Sequence, residues 1–166
     1  MKAEPGFQAL YEREFPAVYR AAFLLCGDRQ LAEDATQEAF ARALVRWRRL
    51  GREPWAAGWV TTTALNVARR QLRRSPPAPA GSDAPAEGPR DDALDLREAV
   101  RALPARQQEA VALHYLLDMP VADTAAAMGC DEGTVKSHLA RARATLHEQL
   151  KDPDTDDVSP RSPHGR

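Results

Sequence analysis

Residues 75–92 read Ser-Pro-Pro-Ala-Pro-Ala-Gly-Ser-Asp-Ala-Pro-Ala-Glu-Gly-Pro-Arg-Asp-Asp. Five prolines, two glycines and no large apolar side chain leave nothing to offset the entropy of ordering this stretch. A disordered linker is predicted, with an extended reach of roughly 55 Å at about 3.1 Å per residue. Any core must therefore form on one side or the other: in residues 1–74, in residues 93–150, or separately in both. The tail, residues 151–166, carries four acids and three prolines and is expected to be disordered as well.

Both blocks are helical by period. In the first, Phe7, Leu10, Tyr11, Phe15, Val18, Tyr19, Ala22 and Phe23 recur at three- and four-residue steps. Asp28 can cap a second helix that begins near Gln30 and turns Ala32, Ala35, Ala39, Phe40, Ala43, Leu44 and Trp47 inward. Gly51-Arg52-Glu53-Pro54 breaks it, and a third helix starts around Trp55 and runs to Leu72. In the second block, Leu96, Val100 and Leu103 lead to Pro104 as a first-turn proline, and Val111, Leu113, Tyr115 and Leu116 continue a helix. Alternation at period two appears nowhere. The predicted fold class is all-α: two small helical domains joined by a flexible Pro/Ala-rich linker.

Residues 119–139 have the spacing of a helix-turn-helix, which presents one helix to the major groove of DNA. Ala125 is small where the two helices would cross. Gly129 follows four residues later, where a left-handed C-cap needs no Cβ. Val135 comes six residues after that and points inward with Leu139 and Leu146. Asp131 is the expected N-cap, with Thr134 in the first turn. Lys136, Ser137, Arg141 and Arg143 take the exposed positions. An ordinary helical hairpin could also contain such a glycine; the combined spacing and the basic second helix favour DNA.

Net charge is −1, so nothing global points to nucleic acid. The distribution is uneven. Residues 1–74 hold 13 basic against 8 acidic residues, whereas residues 93–150 hold 6 against 8. The basic residues of the first block cluster at Arg42, Arg46, Arg48, Arg49 and Arg52, and again at Arg69, Arg70, Arg73 and Arg74. Such clusters attract phosphate, although solvated helix faces carry charge runs too. Cys26 and Cys130 stand far apart and outside any metal-binding spacing, and the four histidines do not pair with acids or cysteines. No metal site and no cofactor is expected. The N-terminus lacks the apolar core of a signal peptide, and no apolar run approaches the roughly 18–20 residues of a membrane helix. No membrane insertion and a cytoplasmic location are expected. There is no Gly-rich phosphate loop, and Ser137 and His138 are adjacent on a helix, about 100° apart, unsuited to act as nucleophile and base. An enzyme is not expected.

Three further groups have two readings each. Trp47, Trp55 and Trp59 lie beside the basic clusters, and aromatics so placed can stack on unpaired bases. Core packing is the simpler account of Trp47 and Trp59; Trp55, next to the Pro54 break, is the more exposed candidate. Asn66, Arg69, Arg70 and Arg73 share one polar face that either meets DNA or is merely wet. Glu33, Asp34, Gln37 and Glu38 form an acidic face, either solvated or docked on a basic partner.

With both blocks, the linker and the helix-turn-helix in view, residues 7–150 resemble the extracytoplasmic-function (group 4) sigma factors of bacterial RNA polymerase. Leu31-Ala32-Glu33-Asp34-Ala35-Thr36-Gln37-Glu38-Ala39-Phe40-Ala41-Arg42-Ala43-Leu44 is similar to the segment that grips the β′ clamp helices. The resemblance thereby assigns Glu33, Asp34, Gln37, Glu38, Phe40 and Arg42 to polymerase binding. Trp59-Val60 through Asn66-Val67-Ala68-Arg69-Arg70-Gln71-Leu72-Arg73-Arg74 is similar to the helix that reads and opens the −10 element. It implies −10 contacts by Trp55, Asn66, Arg69, Arg70 and Arg73. Ala102-Leu103-Pro104-Ala105-Arg106-Gln107 and Gly133 through Arg143 resemble the −35-reading domain, implying −35 contacts by Thr134, Lys136, Ser137, His138, Arg141 and Arg143. Region 2 would occupy residues 1–74, the linker 75–92 and region 4 residues 93–150. The family usually has an acidic residue at the position of Arg70, Arg at that of His138, and Glu-Ile-Ala where Asp123-Thr124-Ala125 stands; these differences bear on which promoter is read.

The implied partners are core polymerase, through the β′ clamp helices and the β flap, promoter DNA and an anti-sigma factor. The implied mechanism docks the first domain on polymerase, seats the second in the −35 major groove and captures unpaired −10 bases without ATP. Elements one and a half to two turns apart lie roughly 50–70 Å apart, which linker and domains can span. The chain shows no sensing segment, so control would come from a partner, or from the acidic tail covering Arg69–Arg74. A rival reading is a stand-alone helix-turn-helix regulator on an operator, though no heptad seam offers a dimer face. Another is a module that titrates a different sigma factor, against which the missing HxxxCxxC zinc pattern counts.

Overall fold

The structure, a computed structural model, describes residues 4, 6–75 and 92–151. The disorder expected of residues 76–91 and 152–166 lies outside the described residues. The described chain is all-α: α1 (Phe7–Cys26), α2 (Arg29–Val45), α3 (Trp47–Leu50), α4 (Ala56–Arg74), α5 (Asp92–Ala102), α6 (Ala105–Val111) running into a π-helical turn (Ala112–Leu116), α7 (Val121–Met128) and α8 (Glu132–Gln149).

In the first half, α1, α2 and α4 pack as a three-helix bundle. Helix α2 buries Ala32, Ala35, Ala39 and Ala43 completely. Four methyl-sized side chains on one face let α1 and α4 approach closely, since interaxial distance follows the side chains at the contact. Larger volume is supplied at one end by Phe7, Tyr11, Phe15, Phe40 and Trp47, whose rings meet mostly edge to face or tilted at centroid distances such as 4.8 Å (Tyr11–Phe40) and 5.3 Å (Phe7–Trp47). The buried threonines are satisfied locally: Thr36 Oγ1 donates to the Ala32 carbonyl at 2.7 Å and Thr61 Oγ1 to that of Ala57 at 3.0 Å. Asp28 caps α2 as expected, its Oδ1 accepting the Leu31 N–H at 2.9 Å. The short α3 was not anticipated. It exists because Trp47 and Leu50 both turn into the core, and Gly51 permits it: a Cβ there would lie 2.6 Å from the Trp47 ring.

In the second half, Leu103, Ala110, Val111, Leu113, Met119, Met128, Val135, Leu139 and Ala142 form the core. Pro104 takes the N-cap position of α6 rather than its first turn. Of the three apolar residues leading to Pro104, Val100 and Leu103 are buried and Leu96 is 41% exposed. The helix expected through Tyr115 and Leu116 widens into the π turn, ends at Leu116 and is followed by Asp118, whose φ of +53° places it in the left-handed region that asparagine and aspartate tolerate.

The two halves are packed against each other, which the linker's length did not suggest. Gly58 of α4 faces α7, where a Cβ would come within 2.7 Å of the Ala127 Cβ. Ala112 and Leu116 join Leu65 and Ala68 in one apolar cluster. The Arg97 guanidinium of α5 sits 5.5 Å from the centroid of the Phe23 ring on α1. Trp55 touches the cores of both halves.

Leu113 is fully buried at the centre of the second half. Leu113→Ala should cost about 2–5 kcal/mol, read as a lowered urea midpoint. The Asp131 carboxylate accepts the Thr134 N–H at 2.8 Å and its hydroxyl at 3.1 Å, which holds it below the ordinary carboxylate range. That stabilisation is present above the unfolded-chain value of about 3.9 and is lost as pH falls through the depressed folded value. Asp131→Ala should therefore lower the urea midpoint at neutral pH, and the difference from wild type should vanish in acid.

Candidate nucleic-acid interface

Helix α8 is held from behind and open in front. Val135, Leu139 and Ala142 are buried, while Lys136, Ser137, Arg141 and Arg143 are exposed on the opposite side. Gly129 ends α7 at φ +66°, in the left-handed region, with its N–H bonded back to the α7 carbonyls. Asp131 starts α8 two residues later. Arg106 braces this turn by donating from Nη2 to the Met128 carbonyl at 2.8 Å, a contact that no sequence spacing signals. Thr134 is half-buried and spends its hydroxyl on Asp131. His138 is half-buried, and its Nδ1 has no hydrogen-bond partner among the described residues. Arg143 donates to the Tyr115 hydroxyl at 3.0 Å, which leans it toward the π turn.

On α4, Asn66 and Arg73 are exposed and Arg70 is half-buried. They surround a small depression of about 220 Å³ together with Arg42 and Arg69. Arg69 differs from its neighbours. Its side chain is only 14% exposed and turns toward α6, where Nη1 pairs with Glu109 Oε1 at 3.2 Å and Nη2 donates to Gln108 Oε1 at 3.0 Å. Burial pulls the guanidinium below its ordinary value, an effect opposed by Glu109. Trp55 is not part of this group. It is half-buried between the two cores rather than well exposed, and with Trp59 it lines a separate cleft of about 510 Å³ edged by Arg46, Arg48 and Arg49. The Arg46 guanidinium lies 5.7 Å from the Trp59 ring centroid. Beside the cleft, Val45 is 84% exposed, and sequence periodicity did not single it out.

On α2, Glu33, Asp34 and Gln37 face solvent, as an acidic strip. Glu38 is half-buried and engaged by both Arg42 and Arg70. Phe40 is 2% exposed and packs into the aromatic cluster, so in this conformation it presents nothing to a partner and instead holds α2 against α1. Cys26 is buried, which pushes its thiol up, and Cys130 is half-buried. Among the described residues, no group of His, Cys, Asp or Glu is placed to hold a metal ion, and no helix is long and apolar enough to cross a membrane.

Comparison with known proteins fits this arrangement. Residues 10–75 match Sigma-70 region 2, and residues 93–146 match Sigma-70 region 4. The chain is 33% identical over 164 residues to the ECF RNA polymerase sigma factor BldN of Streptomyces coelicolor, covering 89% of this chain and 61% of that protein. It is 31% identical over 147 residues to the RNA polymerase sigma-E factor of the same organism, covering 84% of this chain and 83% of that one. Among solved structures, the sigma factor RpoE in complex with the anti-sigma factor NepR from Bartonella quintana aligns with a TM-score of 0.66 at 28% identity, over 89% of this chain and 98% of that one. CnrH in complex with the cytosolic domain of CnrY gives the same TM-score at 23% identity, over 87% and 86%, a likeness of fold alone. Two sigma regions in order, on this helical framework and with relatives at about a third identity, decide the matter: the chain belongs to the extracytoplasmic-function RNA polymerase sigma factors of the sigma-70 family.

Proposed function

We propose that this chain works as a promoter-reading subunit of core RNA polymerase, in the cytoplasm, with its contacts divided among three helices. The observation that carries this reading is the presentation of α8: a capped helix with a buried apolar back and a cationic front of Lys136, Arg141 and Arg143. A helix so held can enter the major groove. Lys136, Arg141 and Arg143 bind phosphate of the −35 duplex, while Ser137, His138 and Thr134 lie nearest the bases. Asn66, Arg70, Arg73 and, once freed from α6, Arg69 bind the −10 strand. The Trp55–Trp59 cleft, rimmed by arginines, offers stacking surface to an unpaired base.

The acidic strip Glu33, Asp34 and Gln37, with Glu38 and Arg42 behind it, docks on the β′ clamp helices; region 4 meets the β flap. Phe40 contributes by fixing the position of α2. We assign region 2 to residues 1–74 and region 4 to residues 93–150; the end of α4 at Arg74 supports the first boundary. The similar protein RpoE is seen with an anti-sigma factor, and we extend that kind of partner to this chain, competing with polymerase for the Asp34–Arg42 surface and covering α8.

Run-off transcription with bacterial core enzyme tests the reading directly. Transcripts from a cognate promoter should depend on both chain and core, and the chain alone should bind that promoter weakly. Tight, sequence-specific binding by the isolated chain would favour a stand-alone operator-binding regulator. Lys136→Ala should weaken holoenzyme binding about evenly across sequences and reduce the salt slope by about one. His138→Arg should shift the preferred −35 bases in a promoter-library selection; an unchanged preference would remove His138 from the readout.

A further inference from the structure

The −35 and −10 faces are not equally available. On α8, Lys136, Ser137, Arg141 and Arg143 are open to solvent, whereas on α4 Arg69 is spent. All three of its guanidinium nitrogens are occupied. Nε and Nη2 both donate to Gln108 Oε1, Nη2 also donates to the Ala105 carbonyl at 3.0 Å, and Nη1 serves Glu109 and Asn66. Glu109, only 5% exposed, is itself held from the other side: Arg106 Nη1 donates to its second oxygen at 2.8 Å, while Arg106 Nη2 reaches the Met128 carbonyl at the end of α7. One carboxylate thus links the −10 face of the first half to the turn of the helix-turn-helix in the second. A carboxylate paired with an arginine takes the place that a phosphate oxygen would take, because both are oxyanions suited to the guanidinium fork.

The seam beside this clasp is close. Gly58 lets α4 lie against α7 with Ala127 and Met119 directly opposite. Packed helices lie about 8–10 Å apart between axes, whereas the two promoter elements are roughly 50–70 Å apart. Opening this seam would free the two halves to span that separation.

We propose that Glu109 is an internal stand-in for DNA phosphate: by holding Arg69 against α6 it keeps the two halves closed and withholds Arg69 from DNA until the halves separate. This rests on the assignment of Arg69 to the −10 strand. The clasp leaves α8, Asn66 and Arg73 exposed, so what it takes away is the share of Arg69 in −10 capture.

Two variants of the full chain release the clasp by different routes. Glu109→Gln removes the charge and keeps the shape. Gly58→Ala leaves every charge in place and drives a methyl into the α4–α7 seam, while Ala favours the helix it joins. Both are measured without polymerase by far-UV circular dichroism, by small-angle scattering and by anisotropy of a fluorescent single-stranded DNA of randomised sequence. Helix content should be kept, the radius of gyration should rise, and the oligonucleotide should bind at least about tenfold more tightly, the factor by which the competent fraction grows. Adding Arg69→Ala to either variant should erase that gain. Folded variants that stay compact, or that expand without binding better, would overturn the proposal. A gain that survives Arg69→Ala would sink the assignment of Arg69 to the −10 strand, and Glu109's role with it, while leaving the closed arrangement standing.

Discussion

Helix α4 is buried on two sides, and most of the molecule is arranged around that fact. Val60, Ala64 and Val67 have almost no exposed surface, and they face α1 and α2. Leu65, Ala68, Gly58 and Arg69 meet the second half through the π turn, α7 and α6. A single helix can serve two cores only if its side chains are small where neighbours are backbone-close and polar where a partner can satisfy them. The alanines and Gly58 meet the first requirement. Arg69, answered by Glu109, Gln108 and the Ala105 carbonyl, meets the second. An arginine buried without those acceptors would be costly.

The second half solves a different problem, that of offering one helix to a large ligand without letting it move. Three local devices do this: the left-handed Gly129, the Asp131 cap and the Arg106 bond to the end of α7. The first two fix where α8 begins, and the third ties the turn to α6. Buried Val135, Leu139 and Ala142 then set its rotation, so its cationic side chains project outward together. Rigid presentation of this kind is what base-edge contacts require, since they depend on helix placement in the groove.

Arg106 also joins the two problems. It bonds Glu109 with one nitrogen and Met128 with another, so the turn of the helix-turn-helix and the pairing of Arg69 share one support. Interfaces between domains of one chain resemble transient interfaces and move by default unless they are large and apolar. This seam is a mixture: apolar at Ala112, Leu116 and Leu65, charged at Arg69 and Glu109, and cation–π at Arg97 over Phe23.

What the sequence alone determined is local. Helical period, the Asp28 and Asp131 caps, Gly129 and the inward alanines of α2 are properties of neighbouring residues, and each is found where the spacing puts it. The exposed cations of α8 and the acidic strip of α2 follow from the same period. What only the tertiary structure decided depends on residues distant in the chain. Arg69 reads like Arg70 and Arg73, four positions of one polar face with Asn66, until a helix some forty residues on supplies its acceptors. Trp55 reads as an exposed aromatic next to a break until two cores close around it. Phe40 is turned inward by its helical phase already, but which rings it meets, Phe7, Tyr11 and Phe15 of α1, is set by the packing of α1 on α2. The short α3 and the π turn are likewise set by what they pack against. Periodicity tells which side of a helix is apolar; it does not tell which polar residues a second domain will cover, because that depends on contacts across a linker that carries no pairing signal.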